Sequence, residues 1–257
     1  MRREFHQTHT VRYDECDCYG NLTPAAFLRY MQDIAALDTE DVQLEAEGYW
    51  IVKRTIISFT APIKIHTRLD LKTFGIGFTR ITAQRGYEAY IAGEAQEEPV
   101  VSANSLWVFV DKNGRPRRLP ERTAEIWHLD NARPQEPLVA MPPTPESEPY
   151  TTEATVRFSD MDVAMHMNNA AYVEVLDNAA WEAYAQNGLK PEKTIPTARY
   201  YDIEYAESMR FGEKLEIQSW FEPQPTTGQE ASRIQSITHN GKVAVRAHSR
   251  WHWQGEE

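Results

Sequence analysis

Three ionisable side chains in the second half of the chain have the types and spacing that acid–base chemistry requires. Asp162 and His166 lie in a polar segment before an apolar helix, and Glu207 interrupts a strand pattern further along. A carboxylate and an imidazole held close together can share proton transfer near neutral pH. The start of the helix adds unpaired N–H groups and a positive dipole end, which suit an oxyanion forming from a carbonyl. With an apolar slot beside them, these groups indicate hydrolysis of an acyl ester or thioester by water.

The segment that holds Asp162 and His166 is the second copy of an internal repeat. Residues 11–35 align without a gap with residues 156–180, at an offset of 145 (156 minus 11). Two further blocks recur in the same order, namely residues 54–71 with 200–217 and residues 105–107 with 249–251. Because three ordered blocks share nearly one offset, the chain is interpreted as an internal duplication.

The two copies differ at the residues that could react. The aligned pairs are Asp17 with Asp162, Asn21 with His166, and Ala61 with Glu207. A single histidine or a single glutamate is more often structural or solvated. The aspartate occurs in both copies and could simply hold the loop. The two differences together favour a reactive site in the second copy and a supporting role for the first.

The distribution of proline divides the chain into two domains. Six prolines lie between residues 132 and 149, at positions 134, 137, 142, 143, 145 and 149. Proline removes backbone donors and keeps the chain extended, so this stretch is predicted to be a semi-rigid linker. We therefore expect an N-terminal domain over residues 1–131 and a C-terminal domain over residues 150–257, each long enough to bury its own core.

Each half predicts one buried helix and several antiparallel strands. A short strand at residues 11–13 or 155–158 leads into the polar loop, and a helix follows. Thr23 can cap the first helix with Pro24 at its first position, and Asn168 or Asn169 can cap the second. Period-two stretches predict later strands near residues 84–92, 102–110, 232–238 and 243–253. The expected fold is an α+β tandem in which a long antiparallel sheet wraps around two helices.

Composition excludes several other classes of function. The net charge of −11 argues against nucleic acid as a partner, because phosphate binding needs a basic surface. No run of eighteen apolar residues exists and the first residues lack an apolar stretch, so we expect no stable membrane insertion and a cytoplasmic location. The only cysteines, Cys16 and Cys18, are too close for a disulfide and lack the spacing of a metal site. Neither a metal nor another cofactor is expected, since no phosphate or dinucleotide motif is present.

At these residues the chain resembles the acyl-acyl carrier protein (acyl-ACP) thioesterases, a family of double hot-dog proteins. Residues 162–169, DVAMHMNN, are similar to the family's D-x-N-x-H-V-N-N signature, and residues 204–208, EYAES, are similar to its E-Y-x-x-E-C element. Residues 50–52, 105–108 and 117–120 of the first half also resemble the family. The chain departs from the pattern at Ala164, where the family has asparagine, and at Ser208, where it has cysteine.

The resemblance implies two hot-dog domains, with the acyl chain bound in the first and catalysis in the second. The family's catalytic residues correspond to Asp162, His166 and Glu207. Our hypothesis is that helix N–H groups near Asn168 and Asn169 polarise the thioester carbonyl, with Ser208 as a further supporting residue. Glu207, oriented with His166, then activates water, and Asp162 either holds the loop or acts directly. Because Ser208 replaces cysteine, a cysteine nucleophile is not expected in the second half.

The implied partner is an acyl carrier protein that carries a fatty acyl chain. Carrier proteins are acidic, so docking on this acidic chain requires a local basic patch. The candidate clusters are Lys112 with Arg115, Arg117 and Arg118; Lys64 with Arg68; and Arg210 with Lys214. Three alternatives stay open: an acyl-CoA thioesterase on the same fold, a non-catalytic acyl-binding protein, and a hydratase. A monomer or a homodimer is expected, since the duplication already supplies the pairing that single hot-dogs obtain by dimerising.

Overall fold

The computed structural model describes residues 3–43, 48–127, 135–190, 194–222, 225–226 and 228–255, and it contains the same set of elements twice. The first half comprises β1 (Glu4–Thr10), α1 (Pro24–Asp41), β2 (Tyr49–Phe59), β3 (Arg68–Phe78), β4 (Thr82–Ile91), β5 (Val101–Val110) and the short α2 (Thr123–Ile126). The second half comprises β6 (Tyr150–Thr155), α3 (Asn169–Gln186), β7 (Thr194–Tyr205), β8 (Lys214–Glu222), β9 (Glu230–His239) and β10 (Lys242–Gly255). No helix of the described residues is long and apolar enough to cross a membrane.

All ten strands form one antiparallel sheet with the order β1-β3-β4-β5-β2-β7-β10-β9-β8-β6. The second half therefore mirrors the strand order of the first, and the halves join where β2 pairs with β7. In that pair Ile56 lies opposite Asp202, and these residues are themselves related by the repeat offset of 146 (202 minus 56). A pseudo-twofold axis thus passes through the centre of the sheet. The predicted tandem hot-dog fold, in which the sheet wraps around two long helices, is confirmed.

The two long helices begin where the sequence predicts. The Thr23 side chain accepts a hydrogen bond from the Ala26 N–H at 3.1 Å, and Pro24 occupies the first helical position. In the second half Asn168, rather than Asn169, is the cap, since its side chain accepts from the Ala170 N–H at 2.9 Å. Both helices bury most of their apolar side chains against the sheet, and they also touch each other.

The strands predicted at residues 11–13 and 155–158 lie several residues earlier in the chain than the sequence pattern indicates. The strands β1 and β6 end at Thr10 and Thr155, and each is followed by a single 3-10 turn. The turns form because a carboxylate three residues further on accepts a main-chain N–H: Arg12 donates to Glu15 and Arg157 to Asp160, each at 2.7 Å. The alternation of apolar and polar residues cannot show that a side-chain carboxylate takes a main-chain N–H away from strand pairing.

Residues 135–149 contain no helix or strand, and they cross the sheet in an extended path. Their carbonyl groups accept hydrogen bonds from side chains of four strands, which are every second strand of the sheet along this path. The donors are Gln84 on β4, Arg54 on β2, Arg246 on β10 and Trp220 on β8. This segment therefore ties the sheet of the first half to that of the second. The start of the predicted linker, residues 132–134, lies outside the described residues.

Candidate active site

Asp162 and His166 occupy the two ends of a closed loop that precedes α3. The Asp162 N–H donates to the His166 carbonyl at 2.9 Å, and the flanking residues Met161 and Met167 form an antiparallel bridge. The turn is completed by Met165, whose φ of 62° lies in the left-handed region. The side chain of Asp162 accepts the N–H of Ala164 at 2.9 Å. Both candidate residues are half-buried at the surface of this loop.

Glu207 follows the last residue of β7, in a segment that is joined to this loop. The Met167 N–H donates to the Met209 carbonyl at 2.8 Å, and the Met209 N–H donates to the Tyr172 hydroxyl at 2.8 Å. Burial raises the pKa of Tyr172 to about 12, so this phenol stays neutral at physiological pH. Glu207 itself is exposed, as is Ser208 beside it, and the Glu207 N–H is fixed by the Ala244 carbonyl at 3.2 Å.

The main-chain donors at the start of α3 are only partly available. The Asn168 N–H donates to the Asp160 carbonyl at 2.8 Å, and the Asn168 side chain is used as the helix cap. No described residue accepts from the N–H of His166 or of Asn169. These two groups are the donors that remain for a carbonyl oxygen at this end of the helix. Within the described chain, no hydrogen bond joins the side chains of Asp162, His166 and Glu207 to one another.

The loop of the first half has the same backbone geometry without the same chemistry. The Asp17 N–H donates to the Asn21 carbonyl at 2.8 Å, and the Leu22 N–H donates to Ile63 at 2.7 Å. Gly20, with a φ of 73°, takes the position of Met165. In this copy the Asn21 N–H is also occupied, because it donates to the Asp17 carboxylate at 2.9 Å.

A large, mostly apolar cavity of about 650 Å³ lies between α1 and the sheet of the first half. It is open because small residues line it at Ala36, Thr39 and Gly75. The repeat relates these positions to Trp181, Tyr184 and Phe221 of the second half (offsets 145, 145 and 146). There the rings of Trp181 and Tyr184 are 5.5 Å apart and those of Tyr184 and Phe221 are 4.7 Å apart, so aromatic side chains occupy the equivalent positions. This cavity was not predicted from the sequence, although the aligned copies of the repeat show the difference in side-chain size.

One lining residue of the cavity, Trp50, lies on the side of β2 nearest the second loop. The register of β2 and β7 pairs Arg54 with Glu204, so Trp50, which lines the cavity, lies toward the end of β2 that faces Glu207. The Lys53 ammonium reaches the Ala206 carbonyl at 3.5 Å. The pseudo-twofold symmetry also places the second loop near this cavity. In the first half, the loop and α3 line one common cleft. Its image brings the second loop next to α1 and the large cavity.

A buried carboxylate, Asp38, binds two residues that line the cavity, Arg85 and Trp127. Asp38 is 1% exposed and accepts from the Arg85 guanidinium at 2.6 Å, from Arg3 at 2.8 Å and from the indole N–H of Trp127 at 2.8 Å. Because a buried carboxylate is stable only with such partners, this cluster forms a fixed polar wall. The described residues contain no group of three or more His, Cys, Asp or Glu side chains that could bind a metal ion.

Both halves of the chain match known protein families. Residues 156–253 match the thioesterase-like superfamily, so the fold and the loop define a thioester hydrolase of the hot-dog class. Residues 2–127 match the N-terminal domain of the acyl-ACP thioesterases. The chain belongs to the acyl-ACP thioesterase family.

Solved structures with the same fold cover nearly the whole chain. A 12:0-ACP thioesterase from Umbellularia californica superposes with a TM-score of 0.78 at 15% identity, covering 98% of this chain and 94% of that one. An acyl-ACP thioesterase from Bacteroides thetaiotaomicron gives a TM-score of 0.74 at 17% identity, covering 97% and 98%. A protein from Lactobacillus plantarum, described provisionally as an oleoyl thioesterase, gives 0.80 at 16% identity, covering 99% and 98%. No curated protein sequence matches the chain.

Proposed function

We propose that this thioesterase hydrolyses fatty acyl-ACP at the loop of its second half. The products are a free fatty acid and the carrier protein, so the reaction ends elongation of the acyl chain. The observation that carries this assignment is the asymmetry between two loops of equal backbone geometry. Only the second loop combines an imidazole and a carboxylate with N–H groups of His166 and Asn169 that lack an acceptor among the described residues.

In the proposed reaction the thioester carbonyl accepts hydrogen bonds from the N–H groups of His166 and Asn169. These donors stabilise the negative charge that develops on the carbonyl oxygen. Water adds to the carbonyl carbon while Glu207, oriented with His166, takes its proton. The carbon–sulfur bond then breaks, and the proton passes to the departing sulfur. Asp162 keeps the loop closed through its bond to the Ala164 N–H and supplies negative charge near the imidazole.

The acyl chain enters the cavity of the first half. This cavity is of the size typical for small-molecule sites, about 300–1,000 Å³, and its walls are largely apolar. In the second half, the aromatic cluster of Trp181, Tyr184 and Phe221 occupies the positions that are small in the first half, and the cleft beside α3 is smaller, at about 390 Å³. The two halves thus divide the work: residues 1–131 bind the chain and residues 150–257 catalyse.

The carrier protein docks on the rim around the second loop. Four apolar side chains are unusually exposed there: Phe158 (80%), Val163 (104%), Met165 (70%) and Phe211 (65%). Arg210 and Lys214 are exposed in the same region and provide positive charge for an acidic partner. Since the thioester hangs on a short flexible arm, the carrier surface must lie close to this loop. Apolar side chains with adjacent basic residues fit that requirement.

The docking surface is tested by reversing its charge. A variant with Arg210→Glu and Lys214→Glu should raise KM for carrier-linked substrate and leave KM for a small acyl thioester unchanged. Higher salt should raise KM of the unmodified protein and have less effect on the variant, because screening weakens only charge-dependent encounter. An equal effect on both substrates would rule out docking at this rim.

The catalytic assignment is tested by Glu207→Gln and His166→Asn, the latter copying the first half. Each should lower kcat by about 100-fold or more, the usual contribution of a general acid or base. Glu204→Gln is the matched control, since it makes the same change at an exposed position three residues earlier, on β7. If Glu207→Gln and His166→Asn both kept full activity, the site would be wrong.

The acyl-CoA alternative differs from this proposal only in the group that carries the acyl chain. Comparing kcat/KM for one acyl chain on carrier protein and on CoA separates the two, and we expect the carrier-linked form to be preferred. The cytoplasmic location and the monomeric or homodimeric state remain predictions from the sequence.

A further inference from the structure

The image of the catalytic loop in the first half borders a second cleft of about 390 Å³. Its walls come from the first loop, including Asp17 and Asn21, and from α3 and β9 of the second half, including Asp177 and Arg233. This is the same combination of loop and opposite helix that forms the catalytic cleft. It contains neither the histidine nor the glutamate, since Asn21 and Ala61 stand at those positions.

Two polar atoms in the wall of this cleft are buried and have no hydrogen-bond partner among the described residues. They are Oδ1 of Asn21 and Nη2 of Arg233, in side chains that are 5% and 1% exposed. The remaining guanidinium nitrogens of Arg233 are used, because Nη1 donates to Asp177 at 2.8 Å and Nε to Tyr184 at 2.6 Å. The guanidinium carbon, Cζ, also lies 3.9 Å from the centre of the Trp251 ring, which restricts the orientation of the group. A buried polar atom without a partner is costly, and a ligand that supplies the partner removes that cost.

The charges around the cleft restrict the class of ligand. The carboxylates of Asp14, Asp17, Glu174 and Asp177 outnumber the guanidiniums of Arg29 and Arg233. Both guanidiniums are already paired, Arg29 with Glu174 and Arg233 with Asp177, each at 2.8 Å. An anion is therefore repelled at the entrance, while a cation is repelled by Arg233 at the inner wall. A neutral secondary amide carries the partner that each of these atoms needs, namely a carbonyl that can accept from Nη2 and an N–H that can donate to Oδ1 of Asn21.

We propose that this cleft is a second, non-hydrolysing site that binds a neutral chain bearing secondary amides, such as the pantetheine arm. The choice of pantetheine rests on the proposed function, since the arm carries two such amides and the cleft is the image of the one that receives it. With Asn21 and Ala61 in place of His166 and Glu207, a bound arm meets no general base. The site would hold the arm or a free pantetheine derivative without cleaving it.

The two cysteines of the chain provide a direct probe, because Cys16 and Cys18 both line this cleft. Burial and the neighbouring carboxylates raise the pKa of Cys16, so the exposed Cys18 is expected to react first. The experiment measures the rate of maleimide modification of Cys18 with and without N-pentylpantothenamide. This probe contains both pantetheine amides and no thiol. The anion pantothenate serves as the comparison ligand.

N-pentylpantothenamide should slow the modification of Cys18 in a saturable way, and pantothenate should protect more weakly. Asn21→Leu should weaken the protection by about tenfold, through loss of one buried hydrogen bond. Ala61→Trp should abolish protection by filling the cleft from an exposed position. His166→Leu, the image of Asn21→Leu in the other loop, should leave protection unchanged.

Three outcomes would overturn the proposal. No saturable protection by the amide means that the cleft binds nothing of this class. Equal protection by pantothenate means that the ligand is not selected for neutrality. Loss of protection in His166→Leu means that the effect comes from the catalytic loop. Each leaves the hydrolytic function intact, since that is tested by the kinetics of Glu207→Gln.

Discussion

The Asp162 carboxylate stabilises its loop by a hydrogen bond and also places a negative charge in the candidate active site. Its carboxylate accepts the N–H of Ala164 at 2.9 Å, and its main chain is bonded to His166 at 2.9 Å. Asp162→Asn keeps an acceptor for Ala164 and removes the charge. We expect kcat to fall by about 100-fold while the free energy of unfolding stays nearly constant. Kinetics and urea unfolding of the same variant test both parts.

Asp162→Ala provides the complementary measurement. It removes the acceptor as well as the charge, so it should destabilise the protein by about 0.5–1.5 kcal/mol with no further loss of kcat. Asp17→Asn in the first loop should affect the stability as little as Asp162→Asn does. Unaltered kcat in Asp162→Asn would mean that the aspartate is purely structural.

Asp177 gives a prediction for the dependence of stability on pH. Burial raises its pKa to about 6, although the adjacent Arg233 acts in the opposite direction. Between about pH 4 and pH 6 the folded protein then binds a proton that the unfolded chain has released. Stability relative to Asp177→Asn should therefore fall as pH rises through this window, by at most about 3 kcal/mol. Urea unfolding of both proteins at pH 4, 5, 6 and 7 measures the difference, which would stay flat if Arg233 kept Asp177 ionised.

Local chemistry in the sequence predicted where both long helices begin. Thr23 was correctly predicted as the cap of α1, and the two candidates for α3, Asn168 and Asn169, included the observed cap Asn168. The use of the Asn168 N–H could not be foreseen, because its acceptor is the carbonyl of Asp160, in a 3-10 turn that the sequence pattern did not predict. The roles of Asp162, His166 and Glu207 stay predictions.

At the scale of elements, the repeat explains why the cavity beside α1, of about 650 Å³, is larger than the cleft beside α3, of about 390 Å³. The helices α1 and α3 occupy equivalent positions, yet Thr39 on α1 corresponds to Tyr184 on α3 (184 minus 39 is 145). Periodicity alone could not predict this, because both residues keep the helical pattern. Comparing the volumes of aligned side chains would have predicted it. The size of a cavity depends on the volume of the side chains that line it and not on their polarity.

Thr39→Tyr tests the cavity as the site of the acyl chain. The added ring copies the packing of the second half and should shorten the space available to the substrate. Because each buried methylene contributes about 0.8 kcal/mol, losing about four methylenes should lower kcat/KM for long chains by about 100-fold. Short chains should be hydrolysed as before. The control Thr39→Val keeps the volume of the side chain and should leave the dependence of kcat/KM on chain length unchanged. An equal loss of kcat/KM for all chain lengths in Thr39→Tyr would contradict binding of the acyl chain in this cavity.

At the scale of the whole molecule, the two halves are joined by a buried ion pair and an exposed one near the pseudo-twofold axis. Arg54 on β2 binds Asp202 on β7 through two hydrogen bonds of 2.8 and 2.7 Å, and their side chains are 13% and 2% exposed. Arg29 on α1 pairs with Glu174 on α3 at 2.8 Å, with side chains that are 46% and 37% exposed. Both pairs join an arginine of the first half to a carboxylate of the second, but the buried pair has two hydrogen bonds and the exposed pair has one.

Arg54→Leu should destabilise the protein far more than Arg29→Leu. Removing Arg54 leaves the buried Asp202 carboxylate with the Tyr200 hydroxyl as its remaining side-chain donor among the described residues. This costs about 3–5 kcal/mol, whereas an exposed pair contributes about 0–1 kcal/mol. The double variant Arg54→Leu with Asp202→Leu should recover much of the loss, since the penalty comes from the unpaired charge and not from the missing attraction. Urea unfolding of the four proteins tests this order. If the double variant were as unstable as Arg54→Leu, the ion pair itself, rather than relief of a buried charge, would hold the two halves together.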